Sequence, residues 1–139
     1  MITEFEEHYN DVDIMKLNIN TETTKWKEEL EFNTSEIKFY HSLLTSKLVQ
    51  DSNAVEVKSF MNQLRSIQED NQFKFRSVFD FKRKLEGMKE CDDVQCENHY
   101  IQDHLVLKAS LEKHFSNYRM IKFFFQKYFI REMKESCSG

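Results

Sequence analysis

The fold is decided by residues 101–129, which read IQDHLVLKASLEKHFSNYRMIKFFFQKYF. Apolar and aromatic residues recur there in steps of three and four, the spacing that places side chains on one face of an α-helix. The residues on this face are Ile101, His104, Leu107, Leu111, Phe115, Tyr118, Ile121, Phe125, Tyr128 and Phe129. The stretch therefore predicts a long amphipathic helix over about residues 93–135.

Two earlier stretches have the same period and predict two more long helices. The first spans about residues 23–50, and its core face runs through Trp26, Leu30, Asn33, Ile37, Tyr40, Leu44 and Lys47. The second spans about residues 53–86, and its core face runs through Val57, Phe60, Met61, Leu64, Ile67, Phe75, Val78, Phe79 and Leu85, with Asn71 and Lys82 as polar interruptions. Because short connections make consecutive helices antiparallel, we expect an all-α antiparallel bundle of three long helices.

Helix-breaking residues are nearly absent, since the chain has no proline and only two glycines. Proline and glycine are the residues that most disfavour a helix interior, so long helices are expected. Asn53 followed by Glu56 resembles a capping box for the second helix. Gly87 is expected to close that helix in a left-handed conformation, and Asp92 or Asp93 to cap the third.

The N-terminal residues form a separate pattern. Ile2, Phe5, Tyr9, Val12 and Met15 have helical spacing, which residues 18–20 interrupt, and any of three following threonines could cap the next helix. We therefore expect a short amphipathic helix over about residues 2–17. The sequence leaves open whether residues 1–20 dock on the bundle, exchange onto another copy or remain mobile. Residues 1–139 as a whole are expected to form one domain.

The first and third helices contain more apolar residues than one core face requires. On the first, a second stripe lies roughly 200–240° round from the core face and consists of Phe32, Phe39 and Leu43. On the third, a second stripe lies roughly 180–260° round and consists of Met120, Phe123 and Ile130. Leaving such side chains in water forgoes about 1.5–3 kcal/mol each. We expect them to be covered by the N-terminal helix or by a protein partner, with self-association as the leading hypothesis for a non-enzymatic interaction or scaffold module.

The charges are unevenly distributed along the chain, whose net charge is −4. Residues 1–23 contain six acids and one lysine, whereas residues 108–135 contain seven bases and three acids. The basic stretch is interleaved with aromatics, as in some nucleic-acid-binding surfaces. Most of those aromatics belong to the core face, however, and the isoelectric point is about 5.8. We therefore do not expect nucleic-acid binding.

The sequence between the second and third helices, CDDVQCENH at residues 91–99, concentrates potential metal ligands. Cys91, Cys96 and His99 have a loose zinc-like spacing, and Asp103 or His104 could add a fourth ligand. A disulfide or redox pair is another alternative. Because three cysteines without a regular framework suit a reducing compartment, free thiols are the first expectation. A metal- or redox-responsive bundle, with zinc as its cofactor, is thus the alternative function.

Other functional classes lack their signatures. The chain has no Glu-x-x-His pairs for a di-iron bundle, no Gly-rich phosphate loop, no nucleophile elbow and no His-Glu-x-x-His motif. An enzyme is therefore not expected. No apolar run approaches the roughly 20 residues of a membrane span, and a cytoplasmic location is the default expectation.

The start of the first long helix resembles that of a group of small, uncharacterised bacterial helical proteins that begin with a W-x3-L-x-F segment. The residues that carry the likeness are Trp26, Leu30, Phe32, Ile37, Phe39, Leu43 and Leu44. The likeness covers about twenty of the 139 residues. The resemblance implies an antiparallel helical bundle and implies no activity, ligand or partner.

Overall fold

The computed structural model describes residues 4–46 and 54–138, and within them the side chains of residues 13–46 and 55–134. The described residues form three α-helices, α1 (Glu4–Thr45), α2 (Ala54–Met88) and α3 (Val94–Ser138). They contain no strand. The predicted all-α class with three long helices is therefore confirmed.

Contacts between side chains establish the directions of α2 and α3. Glu56 near the start of α2 binds Arg131 near the end of α3, at 3.0 Å. Further along α2, Asn71 binds His114, which lies earlier in α3, at 2.8 Å. The two helices are therefore antiparallel, as the short connection between them predicts.

Contacts between α1 and α3 show that these two helices run in the same direction. Tyr118 donates a hydrogen bond to Glu36 at 2.6 Å, and one to two turns along both helices Gln126 donates to Tyr40 at 3.0 Å. With α2 running the opposite way, the helices form an up-down-up bundle.

The N-terminal part of α1 differs from the prediction, because α1 continues unbroken through residues 18–20. The separate short helix over residues 2–17 is therefore not shown. Asparagine costs a helix interior well under 1 kcal/mol, and Ile19 between the two asparagines is buried in the core. Thr21 does not cap a new helix, since its hydroxyl donates to the carbonyl of Leu17 within α1 at 2.9 Å.

The connection between α2 and α3 corrects the expected role of Gly87. This residue lies inside α2, which ends at Met88, and its φ is not positive. A Cβ atom on Gly87 would lie 2.5 Å from the hydroxyl oxygen of Tyr100 in α3. Glycine therefore leaves room for the Tyr100 side chain and does not form a left-handed helix end.

Asp93 caps α3 as predicted, since its Oδ1 accepts the backbone N–H of Cys96 at 2.8 Å. The predicted Asn53 cap and the predicted extension of the first helix to residue 50 lie outside the described residues.

The core consists of two apolar clusters, and the predicted faces of α1 and α3 supply most of their residues. The larger cluster is made of Ile37, Tyr40, Leu44, Phe60, Leu64, Ile67, Tyr118, Phe125 and Tyr128. The smaller one, nearer the α2–α3 connection, is made of Trp26, Leu30, Val78, Leu111 and Phe115. We call the end of the bundle at residues 89–93 the tip.

Near the tip the buried face of α2 differs from the prediction. Phe79 was expected in the core but is exposed, whereas Phe81 and Met88 are buried. Phe81 lies against His104 of α3, with 6.1 Å between the ring centroids. The buried arc of α2 therefore extends toward α3, on the side away from Phe79.

Candidate functional site

A polar layer of Thr34, Asp70, Asn71 and His114 lies between the two core clusters. His114 and Asn71 are each only 1% exposed. Nδ1 of His114 lies 2.5 Å from Oδ2 of Asp70, and its Nε2 lies 2.8 Å from Oδ1 of Asn71. The layer connects all three helices, because Thr34 is on α1, Asp70 and Asn71 are on α2 and His114 is on α3.

The hydrogen-bond partners establish the orientation of the Asn71 amide. Its Nδ2 donates to the backbone carbonyl of Leu30 and to Oγ1 of Thr34, both at 2.9 Å. A carbonyl oxygen only accepts, so the NH₂ group must face α1 and the amide oxygen must face His114. Nε2 of His114 therefore donates its proton to Asn71.

The other ring nitrogen of His114 also faces an acceptor, the carboxylate of Asp70. With acceptors at both nitrogens, the geometry fits an imidazolium that donates from each of them. The Asp70 side chain is 40% exposed and also lies 3.6 Å from Nζ of Lys74. Both ring nitrogens are thus held by the protein, which suits a structural tie between helices better than a catalytic base.

The sequence does not predict this layer. Asn71 is a polar interruption on the predicted α2 face, but His114 lies next to Phe115 and is not among the residues of the predicted α3 core face. The only signal was a polar residue at a core position, which must find a partner when buried. Which residue provides that partner depends on how α2 and α3 pack.

A second buried histidine, His104, lies between α1 and α3 nearer the tip. Its ring stacks on Trp26 with 5.4 Å between centroids, and its Nε2 is 3.3 Å from Oε2 of Glu22. Lys108 lies 3.3 Å from the other oxygen of the same carboxylate. His104, one of the two expected fourth metal ligands, therefore contacts α1.

At the tip, a disulfide joins Cys91 to Cys96, with an S–S distance of 2.11 Å. The expectation of free thiols is wrong for these two residues. His99, the third predicted zinc ligand, is mostly exposed and lies 3.6 Å from Asp103. Zinc binds cysteine as a thiolate, so the disulfide form does not present the predicted ligand set. Within the described residues, no group of three or more His, Cys, Asp or Glu side chains is arranged to hold a metal.

Five of the six residues in the predicted spare stripes are exposed in the structure. We call Phe32 and Phe39 the α1 face, and Met120, Phe123 and Ile130 the α3 face; each of these side chains is between 54% and 61% exposed. The sixth residue, Leu43, is partly buried against the larger core cluster. Leu43 therefore supports the core and does not belong to the α1 face.

Charged residues of opposite sign flank the two faces. On α1, Glu28 lies one helical turn before Phe32, and Glu29 directly follows Glu28. On α3, Arg119, Lys127 and Lys134 lie at helical spacing from the apolar residues, and Nζ of Lys127 is 5.2 Å from the centroid of the Phe123 ring. The α1 face is thus flanked mainly by acids, with Lys25 as the exception, and the α3 face is flanked by bases.

Tyr118 forms another buried polar contact between α1 and α3. Its hydroxyl donates to Oε1 of Glu36 at 2.6 Å, and Lys122 binds the same oxygen at 2.8 Å. Burial, and then the hydrogen bond and charge of Glu36, raise the pKa of Tyr118 far above its ordinary value of 10.0. Tyr118 is thus protonated in the fold under conditions where an exposed tyrosine ionises.

This shift predicts a loss of stability in alkaline solution. The pKa of Tyr118 is higher in the folded than in the unfolded chain. The contribution of protonated Tyr118 to the free energy of unfolding is therefore fully present below pH 10.0 and declines as the pH rises further. We expect the free energy of unfolding of Tyr118→Phe to fall less steeply above this pH than that of the wild type, with Tyr100→Phe as the control. Parallel curves for wild type and Tyr118→Phe, measured by urea unfolding at a series of pH values, would contradict the prediction.

In the described part of the chain, no helix combines the length and apolar character needed to cross a membrane. Comparisons with protein-family models, with curated proteins and with solved structures found no match to this chain.

Proposed function

We propose that this protein is a non-enzymatic helical interaction module that associates with itself, the α1 face of one copy packing against the α3 face of another. The observation that supports this proposal is the exposure of five large apolar side chains on two helices whose core faces are already buried. Large exposed apolar patches are typical of protein interaction sites.

The free energies are of a suitable size for such a contact. Burying a Phe, Met or Ile side chain contributes about 1.5–3 kcal/mol, whereas association costs about 4–15 kcal/mol in lost freedom of motion. Because α1 and α3 lie side by side, a two-fold arrangement would form the α1–α3 contact twice. Ten side chains, each a little over half exposed before association, then contribute about 8–18 kcal/mol, which is comparable to that cost.

Charge supports a second copy as the partner. Acids next to Phe32 would lie opposite the bases that flank the α3 face, and complementary charges favour both association and one orientation of the partners. In a second copy of the chain, each face would thus contact both apolar side chains and charges of the opposite sign. The association is therefore expected to weaken as salt concentration rises.

The double substitution Phe39→Glu with Phe123→Glu tests the proposal. We expect the wild type to have a mass above the 16.9 kDa of one chain, and the variant to have a lower mass, because both faces would carry buried like charges. The measurement is size-exclusion chromatography with light scattering, and circular dichroism checks that the variant remains helical.

Phe73→Glu provides the matched control. Phe73 is 63% exposed, but it lies on α2 and outside both faces, so its replacement should leave the mass unchanged. An equal mass for the wild type and the Phe39→Glu, Phe123→Glu variant contradicts the proposal. An equal loss of mass in the control also contradicts it, because the faces would then have no special role.

A redox-responsive bundle is a second candidate function, and the disulfide between Cys91 and Cys96 is the observation that favours it. The bond lies where α2 ends and α3 begins, so its reduction would release the constraint between two helices at the tip. Reduction would also restore the thiols that the predicted zinc site requires.

A further inference from the structure

The N-terminal part of α1 extends beyond the end of α2. Asn71 lies opposite Leu30 and Thr34, so in an antiparallel pair Met88, the last residue of α2, lies opposite about residue 15 of α1. α1 itself begins at Glu4. The residues before this point therefore project past α2 by roughly 16 Å at 1.5 Å per residue.

The projecting part is acidic and amphipathic in sequence. Residues 4–13 contain five acids and neither lysine nor arginine. Phe5, Tyr9 and Val12 recur among them at helical spacing. Because α1 is continuous from Glu4 into the core residue Ile19, this part cannot fold back onto its own bundle.

A groove between α1 and α2 lies at the same end of the bundle. It has a volume of about 360 Å³. Its apolar lining includes Phe75, Phe79 and Leu85, of which Phe79 is more than half exposed. The groove thus offers a partly exposed apolar surface next to the tip.

The charges around the groove are opposite to those of the projecting part of α1. Four bases line it, against a single acid, Glu86: Lys27, Lys82, Arg83 and Lys89. An acidic helix with apolar residues on one side is therefore a suitable occupant in both charge and chemistry.

We propose that residues 4–13 of one copy lie in the α1–α2 groove of a second copy, and that the second copy returns the same contact. In such a two-fold pair the α1 helices cross antiparallel near Ile14 and Leu17, which are 58% and 65% exposed. The acidic residues then run alongside the partner's α2 toward Lys89 and Lys82. This contact is separate from the α1 and α3 faces, so it does not rest on the proposed function.

Zero-length cross-linking tests the contact directly. Carbodiimide joins a carboxylate to a lysine amine only when the two groups touch. In a mixture of unlabelled and isotopically heavy full-length chains, we expect mixed-isotope links between carboxylates of residues 4–13 and Lys82 or Lys89. If these carboxylates link only within one chain, or only to lysines outside the groove, the proposal is overturned.

Charge reversal provides a second readout. Lys82→Glu with Lys89→Glu should weaken association about tenfold or more, and Asp11→Lys with Asp13→Lys should do the same. Mixing the two variants should restore association. In the mixed pair the lysines of one variant's segment face the glutamates of the other variant's groove, and the unchanged acidic segment faces the unchanged basic groove. Lys58→Glu with Lys84→Glu makes the same change in net charge on exposed α2 lysines outside the groove and should have little effect.

The outcomes also separate this contact from the α1 and α3 faces. The expected result is loss of the mixed-isotope links from Glu4, Glu6 and Glu7 to Lys82 and Lys89 in Asp11→Lys with Asp13→Lys, which keeps all of these groups, with the links retained in Phe39→Glu with Phe123→Glu. Failure of the mixed variants to restore association contradicts the pairing of segment and groove, whatever the faces do. Failure of the face variants to lower the mass leaves the expected cross-links unchanged.

Discussion

Replacing His114 with leucine is expected to lower the free energy of unfolding by about 1–3 kcal/mol, the cost of leaving a buried hydrogen-bonding group without its partner. The imidazole forms hydrogen bonds with both the amide oxygen of Asn71 and the carboxylate of Asp70. Leucine leaves the amide oxygen buried without a donor, which costs its full desolvation. Urea unfolding followed by circular dichroism measures the change.

A second variant distinguishes the polar layer from simple packing. His114→Leu with Asn71→Leu removes both members of the buried hydrogen bond, so it should cost less than His114→Leu alone. His41→Leu changes an exposed histidine of α1 and should alter stability by no more than about 0.5 kcal/mol. A similar small effect for His114→Leu, or a larger loss in the double variant, would show that the three helices do not meet through this layer.

Replacing both Cys91 and Cys96 with serine is expected to lower the free energy of unfolding by about 2 kcal/mol. The disulfide closes a short loop between α2 and α3, and a short loop restrains the unfolded chain less than a long one does. Reduction of the wild type should produce a loss of the same size. Reoxidation should reverse it, as the second candidate function requires.

Two controls complete this experiment. Cys137→Ser removes the one cysteine outside the disulfide and should leave both the stability and its response to reductant unchanged. The variant without Cys91 and Cys96 should not respond to reductant. If wild-type stability is the same with and without reductant, the tip has no disulfide that stabilises the fold, and the redox-responsive function fails.

Patterns within one helix were predicted most successfully. The core residues of α1 from Trp26 to Leu44 and most of those on α3 are buried, because a period of 3.6 residues places them on one side whatever the partner helix is. The Asp93 cap was also predicted, since its contact reaches only three residues along the chain. The spare stripes required only the same helical geometry, so five of their six residues are exposed outside the core as predicted.

Predictions failed where a residue's role depends on a neighbouring helix. Asparagines at residues 18 and 20 suggested a break, but burial of Ile19 between the helices keeps α1 continuous. Gly87 suggested a left-handed helix end, yet it makes room for Tyr100 of α3. Leu43 was assigned to a spare stripe and instead packs against the core.

The sequence by itself therefore determined an all-α chain with long helices, the core faces of those helices and most of the apolar residues left outside them. Only the tertiary structure decided the polar layer, the partners of the buried histidines, the disulfide and the groove beside the tip. The division follows from distance along the chain. Helical periodicity acts between residues three or four apart, whereas His114 and Asp70 are separated by 44 residues and meet only when α2 and α3 pack.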